Sequence, residues 1–206
     1  MDYIGGDHPH SKTNRVATKD QHWDEYKDPE TSFQFYVDFL KATLPHLKEH
    51  TAIYQWHAHR RLALVERAWQ ECGLLLHQIL IWVKPRAVLN RSHYMWAHEP
   101  CAYGWVQGKP PQRKPPADTT TVWTIAGEHD GVHPTQKPLE VFTRPISYHT
   151  EPDDICLEPF AGSGTCVIAA EKLGRRCYAM EQSPRYCDVI IARWEHFSGE
   201  TARKAS

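Results

Sequence analysis

Apolar residues Phe33, Tyr36, Val37, Leu40, Leu44 and Leu47 recur at three and four positions and predict one face of a helix. Asp28 followed by Pro29 supplies its cap and first turn, and Pro45 should bend or end it early. TAIYQW (51–56) predicts a strand, followed by a helix with Leu62, Val65, Trp69 and Cys72 on one side and Gly73 as its stop. LLLHQILIWVK (74–84) is almost continuously apolar, which predicts a strand covered on both faces. Residues 92–108 predict two short strands meeting near Glu99–Pro100, residues 119–126 another strand, and residues 139–149 a short helix weakened by Pro145. Residues 1–27 are polar and aperiodic and predict a loop or arm.

The last third is the most regular. DICLEPF predicts a strand, the glycines after it a turn, and TCVIAAEKLG a helix ending at Gly174. RRCYAMEQ predicts a second strand, and Ser183–Pro184 opens a helix that should stop near Gly199. Strands alternating with helices argue for a layered α/β fold with a mainly parallel sheet. A length of 206 residues suits a single domain.

Charge changes this picture little. A formal net charge of -1 exerts no global pull on nucleic acid or acidic membrane, so any nucleic-acid footprint must be local. The six cysteines lie far apart without a CxxC pair, which suits reduced thiols in a cytoplasmic protein. Fourteen histidines include no HExxH or His/Cys cluster, so no metal site is expected. Neither a signal segment nor an apolar run of membrane-spanning length is present, so no membrane partner is expected.

Candidate chemistry begins at the glycine turn. Gly162 and Gly164 follow a strand and open a helix, and Glu181 ends the next strand. That is the layout of a nucleotide-binding βαβ unit, in which the second-strand acid takes the ribose hydroxyls. A phosphate-binding P-loop needs a lysine that this turn lacks, and a dinucleotide fingerprint needs a glycine where Cys166 stands. An adenosine ligand without a pyrophosphate remains, and S-adenosylmethionine fits that description.

HPTQKPLEVFTRPI followed by DICLEPFAGSGTCVIAAEKLGRRCYAMEQSPRYCDVIIARWEHFSGE closely resembles the DNA amino-methyltransferases that methylate adenine N6 or cytosine N4. The motif order is similar to their β class, with the catalytic motif first and the cofactor motifs last. ILIWVKPRAVLNRSHYMWAHEPCAYGW looks like the middle of the same family. The resemblance implies a Rossmann-like S-adenosylmethionine-dependent methyltransferase fold in circularly permuted order, encoded by a bacterium or phage, with double-stranded DNA as partner. By resemblance, residues Glu158, Pro159, Phe160, Ala161, Gly162, Ser163, Gly164 and Thr165 form the first cofactor motif. Phe160 to Thr165 wrap the methionine part and Glu181 holds the ribose. The family usually has Asp at the position of Glu158, and commonly Asp or Asn at that of Ser183, where Ser183 can serve as a helix cap. His133, Thr135 and Lys137 would close over the methionine end, with Lys137 facing the ligand carboxylate.

Residues 84–118 form the expected DNA-facing region. Between Lys84 and Ala117, Lys84, Arg86, Arg91, Lys109, Arg113 and Lys114 stand against the single acid Glu99, and phosphate contacts from such a segment would position a duplex without reading it. Trp82, Tyr94, Trp96, Tyr103 and Trp105 are candidates to stack an extruded base. The family also orients its target amine with an Asp/Ser/Asn-Pro-Pro-Tyr/Phe tetrapeptide, which this sequence does not contain. Its expected place is just before Met1, so the reading is of a chain lacking its catalytic motif and a central strand, inactive alone or completed by another chain. Asp2-Tyr3 is a poor substitute without the proline pair. A non-catalytic protein that binds S-adenosylmethionine or DNA stays open beside it, and an NAD-dependent oxidoreductase is disfavoured by Cys166.

Overall fold

The computed structural model describes residues 28–88, 93–126 and 137–205. Helix α1 (Pro29–Thr43) starts where Asp28 accepts the Thr31 N–H at 2.9 Å, and the chain passes into a 3-10 turn at Leu44–His46, next to the expected interruption at Pro45. There follow β1 (Ile53–Trp56), α2 (Leu62–Glu71), β2 (Leu74–Val88), β3 (Trp96–Val106), β4 (Val122–Thr124) and α3 (Glu140–His149). The last third supplies β5 (Ile155–Glu158), α4 (Thr165–Lys172), β6 (Arg176–Ala179) and α5 (Pro184–Ser198), with Gly199 left-handed at the C-cap. Among the described residues no helix is long and apolar enough to cross a membrane.

The α/β class holds, but the sheet is mixed. β1, β3, β2 and β4 form one sheet in that order, and β5 and β6 form a separate parallel pair. β3 runs antiparallel to both β1 and β2, whereas β4 joins β2 in parallel. β1, β2 and β4 therefore point the same way, and the expected parallel character is confined to β2–β4 and β5–β6.

Two strand readings need correction. The apolar run in β2 is not covered on both faces throughout, since Leu75, His77 and Gln78 are exposed and a bulge shifts the register between Leu76 and Gln78. β3 also passes unbroken through Glu99–Pro100. Proline normally disfavours an interior strand because it lacks an N–H. Here the carbonyl of Pro100 turns toward β1 and accepts the His57 N–H at 3.2 Å, just beyond the last β1–β3 pair, Trp56↔Cys101. The missing donor falls where the ladder has ended.

Both faces of the larger sheet are packed. Val37, Leu40, Val65, Ala68, Trp69, Leu74 and Ala102 fill the space under α1 and α2. Leu80, Trp82, Cys101, Tyr103, Trp123 and Ile125 meet Val141 of α3 on the other face. A smaller cluster of Ile146, Cys166, Ala169 and Ala170 lies between α3 and α4. The six cysteines are free thiols, with Cys156 opposite Cys177 in the β5–β6 register. Burial pushes the Cys156 thiol up to about 11, so it stays protonated at neutral pH.

Candidate functional site

The glycine turn is held from three sides. Ala161 N–H donates to the Met180 carbonyl at 2.9 Å, and Gly164 N–H to the Ala161 carbonyl at 2.8 Å, which ties the turn to the end of β6. Gly162 (φ 54) and Gly164 (φ 80) occupy the left-handed region that side chains disfavour. A Cβ on Gly162 would meet nothing within 4 Å, whereas one on Gly164 would come 2.8 Å from Cγ1 of Ile190 on α5. Gly162 thus leaves open space above the backbone, and Gly164 permits close helix packing.

Glu181 closes the turn. Its Oε2 accepts the Gly162 N–H at 2.8 Å and its Oε1 the Ser183 N–H at 2.9 Å. Each oxygen retains a second lone pair for a ligand hydroxyl. Ser183 stands at the N-cap of α5 as expected, but its side chain makes no capping bond; its carbonyl accepts from Tyr186 and Cys187 instead. At the end of β5, Glu158 Oε1 accepts the Phe160 N–H at 2.9 Å. Burial raises the Glu158 carboxyl above its ordinary value, while the Phe160 N–H and the charge of Lys137 oppose the rise. Pro159 carries the chain from that acid to Phe160, whose half-exposed ring packs edge-on to Phe39 of α1, with centroids 5.0 Å apart.

Arg193 of α5 was not singled out by the sequence reading. Its Nη1 donates to the Ser163 carbonyl at 2.5 Å and to the Ser163 hydroxyl at 3.1 Å, and lies 3.5 Å from Thr165 Oγ1. A signal was present: Arg193 interrupts the apolar stripe of Val189 and Ile190 at helical spacing.

Lys137 joins the two halves of the chain. Its Nζ lies 2.9 Å from Glu99 Oε2 and 5.7 Å from the centre of the Trp56 ring. The other oxygen of Glu99 holds Lys84 Nζ at 2.7 Å. Burial pushes the Glu99 carboxyl up, but the two lysines outweigh it and hold the group below its ordinary value. Trp82 contributes a buried indole N–H without a hydrogen-bond partner among the described residues. Just beyond β1, Nδ1 of His57 donates to the Ala58 carbonyl at 3.0 Å, and its Nε2 is buried without a partner among them.

The expected DNA-facing residues divide differently from their charge count. Lys84 is half-buried against Glu99, Lys109 pairs with Glu49 at 2.8 Å, and Arg113 pairs with Glu151. The acids Glu49 and Glu151 come from distant parts of the chain, which a count within residues 84–118 could not include. Arg86 and Lys114 are exposed. Arg91, His133, Thr135 and the Asp2-Tyr3 pair lie outside the described residues. Of the candidate stacking rings, Trp82 and Tyr103 are core, Trp96 and Trp105 half-buried, and Tyr94 exposed.

A family model described as DNA methylase, of the N6/N4 type, matches residues 1–193. The chain belongs to this family. Among curated relatives of the chain, the putative methylase YubD of Escherichia coli (strain K12) is 29% identical over 140 residues, covering 68% of this chain and 60% of YubD. The type II methyltransferase M2.MboI of Moraxella bovis is 25% identical over 192 residues, covering 85% of this chain and 70% of that protein. The alignment therefore spans less than two-thirds of YubD. Among solved structures, an M1.HpyAVI–SAM complex matches with a TM-score of 0.68 at 24% identity, over 76% of this chain and 81% of that one. That likeness shows the fold of this chain, an α/β Rossmann-like methyltransferase fold.

Proposed function

We propose that the chain binds S-adenosylmethionine across the glycine turn and serves methyl transfer to an exocyclic amine of a DNA base, with adenine N6 the first target to assay and cytosine N4 the second. The observation that carries this reading is the Glu181 carboxylate, which fastens Gly162 to the start of α5 and keeps lone pairs free at the end of β6. A ribose diol suits those lone pairs, and the open space over Gly162 admits a close backbone contact. The half-exposed Phe160 ring and the Glu158 carboxyl flank the place where the amino-acid tail would lie, and Lys137 is the cation for its carboxylate. When bound, the cofactor supplies an electrophilic methyl group; the protein holds and orients it. Double-stranded DNA would lie along the basic segment, with Arg86 and Lys114 as its most accessible cations.

Titration calorimetry tests the cofactor reading. The chain should bind S-adenosylmethionine, and Glu181→Ala should weaken binding by about tenfold or more through loss of charge-assisted hydrogen bonds. Equal affinity in both proteins would remove Glu181 from the site. Transfer of tritiated methyl groups to unmethylated DNA tests the reaction class, and the modified base identifies the amine.

A further inference from the structure

α5 engages the glycine turn at three points. Its N-cap residue Ser183 shares the Glu181 carboxylate with Gly162. Ile190 stands where a Cβ on Gly164 would point, its Cγ1 2.8 Å from that position. Three residues further along the same helix face, Arg193 Nη1 donates to the Ser163 carbonyl at 2.5 Å and to the Ser163 hydroxyl at 3.1 Å, with Thr165 Oγ1 at 3.5 Å. The turn therefore has a packed side against α5 and an open side over Gly162. Ser163 and Thr165 are buried, at 6% and 5% exposure, so the Ser163 carbonyl and hydroxyl depend on a protein donor. Nη1 carries two hydrogens, enough for both, and its charge strengthens each bond. Turning a cation inward from a helix that contains no buried residue has a desolvation cost that an apolar side chain would avoid. The arginine is explained by what it holds.

Glu181 grips a donor of the turn and Arg193 an acceptor. The carboxylate fixes the Ala161–Gly162 peptide through its N–H, and the guanidinium fixes the Ser163–Gly164 peptide through its carbonyl. Gly162 and Gly164 both have left-handed φ and no side chain, so this stretch has little steric restraint of its own. We propose that Arg193 is a positioning residue for cofactor binding, acting through Ser163 by keeping its carbonyl on the packed side of the turn. Without the guanidinium, the carbonyl loses its donor. The Ser163–Gly164 peptide is then restrained only by the Gly164 N–H bond to the Ala161 carbonyl, and can rotate toward the open side, into the space a ligand needs. Binding must reorder the turn, which lowers affinity although no ligand contact has been removed. Glu181 and Arg193 thus differ in kind: the first faces the ligand, the second only the turn. The inference rests on the cofactor reading above, and Glu181→Ala separates the two.

The test measures S-adenosylmethionine affinity by calorimetry, beside urea unfolding, on the full chain. Arg193→Met keeps the aliphatic stem but no donor, and should weaken binding by about tenfold, the scale of a charge-assisted hydrogen bond. Arg193→Lys keeps one charged donor for the carbonyl and should recover most of that loss. Ser163→Ala leaves the carbonyl bond in place and should stay within about threefold of wild type. The control is Trp194→Ala on the same helix, which removes the bond to Glu171 Oε2 at 3.0 Å and leaves all three contacts with the turn in place. It should lower the urea midpoint with affinity unchanged within about twofold. Should Arg193→Met not fold, Arg193→Gln, which loses the charge and the reach, carries the same comparison. An Arg193 variant that loses stability but keeps full affinity would overturn the proposal, since the residue would then only fasten α5 to the turn. Equal affinity losses in Arg193→Met and Trp194→Ala would overturn it as well, by tracing the loss to general loosening of α5. Binding that is weakened by Glu181→Ala but not by Arg193→Met would leave the cofactor reading standing and sink this inference alone. Absence of binding to folded wild type would sink both.

Discussion

The larger sheet and the β5–β6 unit are built on different principles. The larger sheet buries both faces, and Cys101 and Ala102 of β3, like Val65, Ala68 and Trp69 of α2, have no accessible surface. The β5–β6 pair is covered by α4 on the cysteine side, while Ile155, Tyr178 and Met180 stay exposed and α5 contains no buried residue. Apolar burial stabilises the first region. The second relies more on directional contacts: the Glu181 and Glu158 carboxylates on backbone N–H groups, and Arg193 on Ser163. A rigid scaffold thus adjoins a shallower unit whose polar groups remain within reach of a ligand.

The largest expected effect breaks the scaffold side. Trp69 is fully buried, and its N–H donates to Gln55 Oε1 at 2.6 Å. Trp69→Ala should cost about 3–5 kcal/mol by cavity formation and leave Gln55 unpaired. Trp194 on α5, also an indole donor, to Glu171 at 3.0 Å, is only half-buried. Trp194→Ala should cost about 1 kcal/mol. Urea midpoints read both, and equal losses would erase the contrast.

Two glycines sharpen it. A Cβ on Gly104 in β3 would lie 1.9 Å from the Leu75 carbonyl oxygen and 2.8 Å from Trp69, both in packed surroundings. Gly104→Ala should destabilise by about 3 kcal/mol, the upper range for overpacking. Gly164→Ala combines a left-handed φ of 80 with a 2.8 Å approach to Ile190, a side chain on a helix that can shift. Its stability loss should be smaller, about 1–2 kcal/mol, with a larger proportional loss of cofactor affinity. Calorimetry beside urea unfolding distinguishes the two, and a Gly164→Ala protein with unchanged affinity would contradict the placement of ligand at the turn.

Sequence patterns revealed the two regions unequally, for physical reasons. The βαβ unit is local: Gly162, Gly164, Glu181 and the Ser183–Pro184 helix start lie within one short stretch, so periodicity and turn chemistry locate them together. α1, with its Asp28 cap, was legible for the same reason. The mixed sheet was not, because antiparallel pairing of β3 with β1 and β2 depends on long-range register. Glu99 was visible as a lone acid among basic residues, but its clamp on Lys84 and Lys137 requires residues separated in sequence to meet. The partners of Lys109 and Arg113 lie outside their own segment for the same reason.

Acid titration should separate the halves through two glutamates of opposite sign. Folding raises the Glu158 carboxyl, chiefly by burial, so its neutral form is favoured in the fold. The stability this gives is full below the ordinary carboxylate value and is lost as pH rises through the raised folded value. Glu99 is held low because Lys137 and Lys84 outweigh its burial, so its contribution is present above the ordinary value and lost as pH falls through the depressed one. Across about pH 3 to 7, Glu158→Gln should therefore gain stability relative to wild type as pH rises above the ordinary carboxylate value, and Glu99→Gln should lose it as pH rises up to that value. Urea unfolding across that range checks both slopes. Parallel slopes would mean that the two carboxyls do not sense different surroundings.

The smallest effect concerns the surface of the scaffold side, where charge count and charge availability part company. Arg113 is about half-exposed but pairs with Glu151, whereas Lys114 is exposed with no ion pair among the described residues. Exposed pairs contribute about 0–1 kcal/mol, so Arg113→Ala and Lys114→Ala should hardly change the urea midpoint. DNA binding should be more sensitive. Each phosphate contact removed lowers the slope of log affinity against log salt by about 0.9. Lys114→Ala should approach that full change on duplexes of unrelated sequence, because its charge is free to displace a counterion. Arg113→Ala should give less, since part of its charge is already answered by Glu151. Glu151→Gln should then steepen the slope by freeing Arg113 for phosphate. Unchanged slopes in all three proteins would return this segment to an ordinary solvated loop, while equal changes for Arg113 and Lys114 would show that the Glu151 pair opens at no cost when DNA arrives.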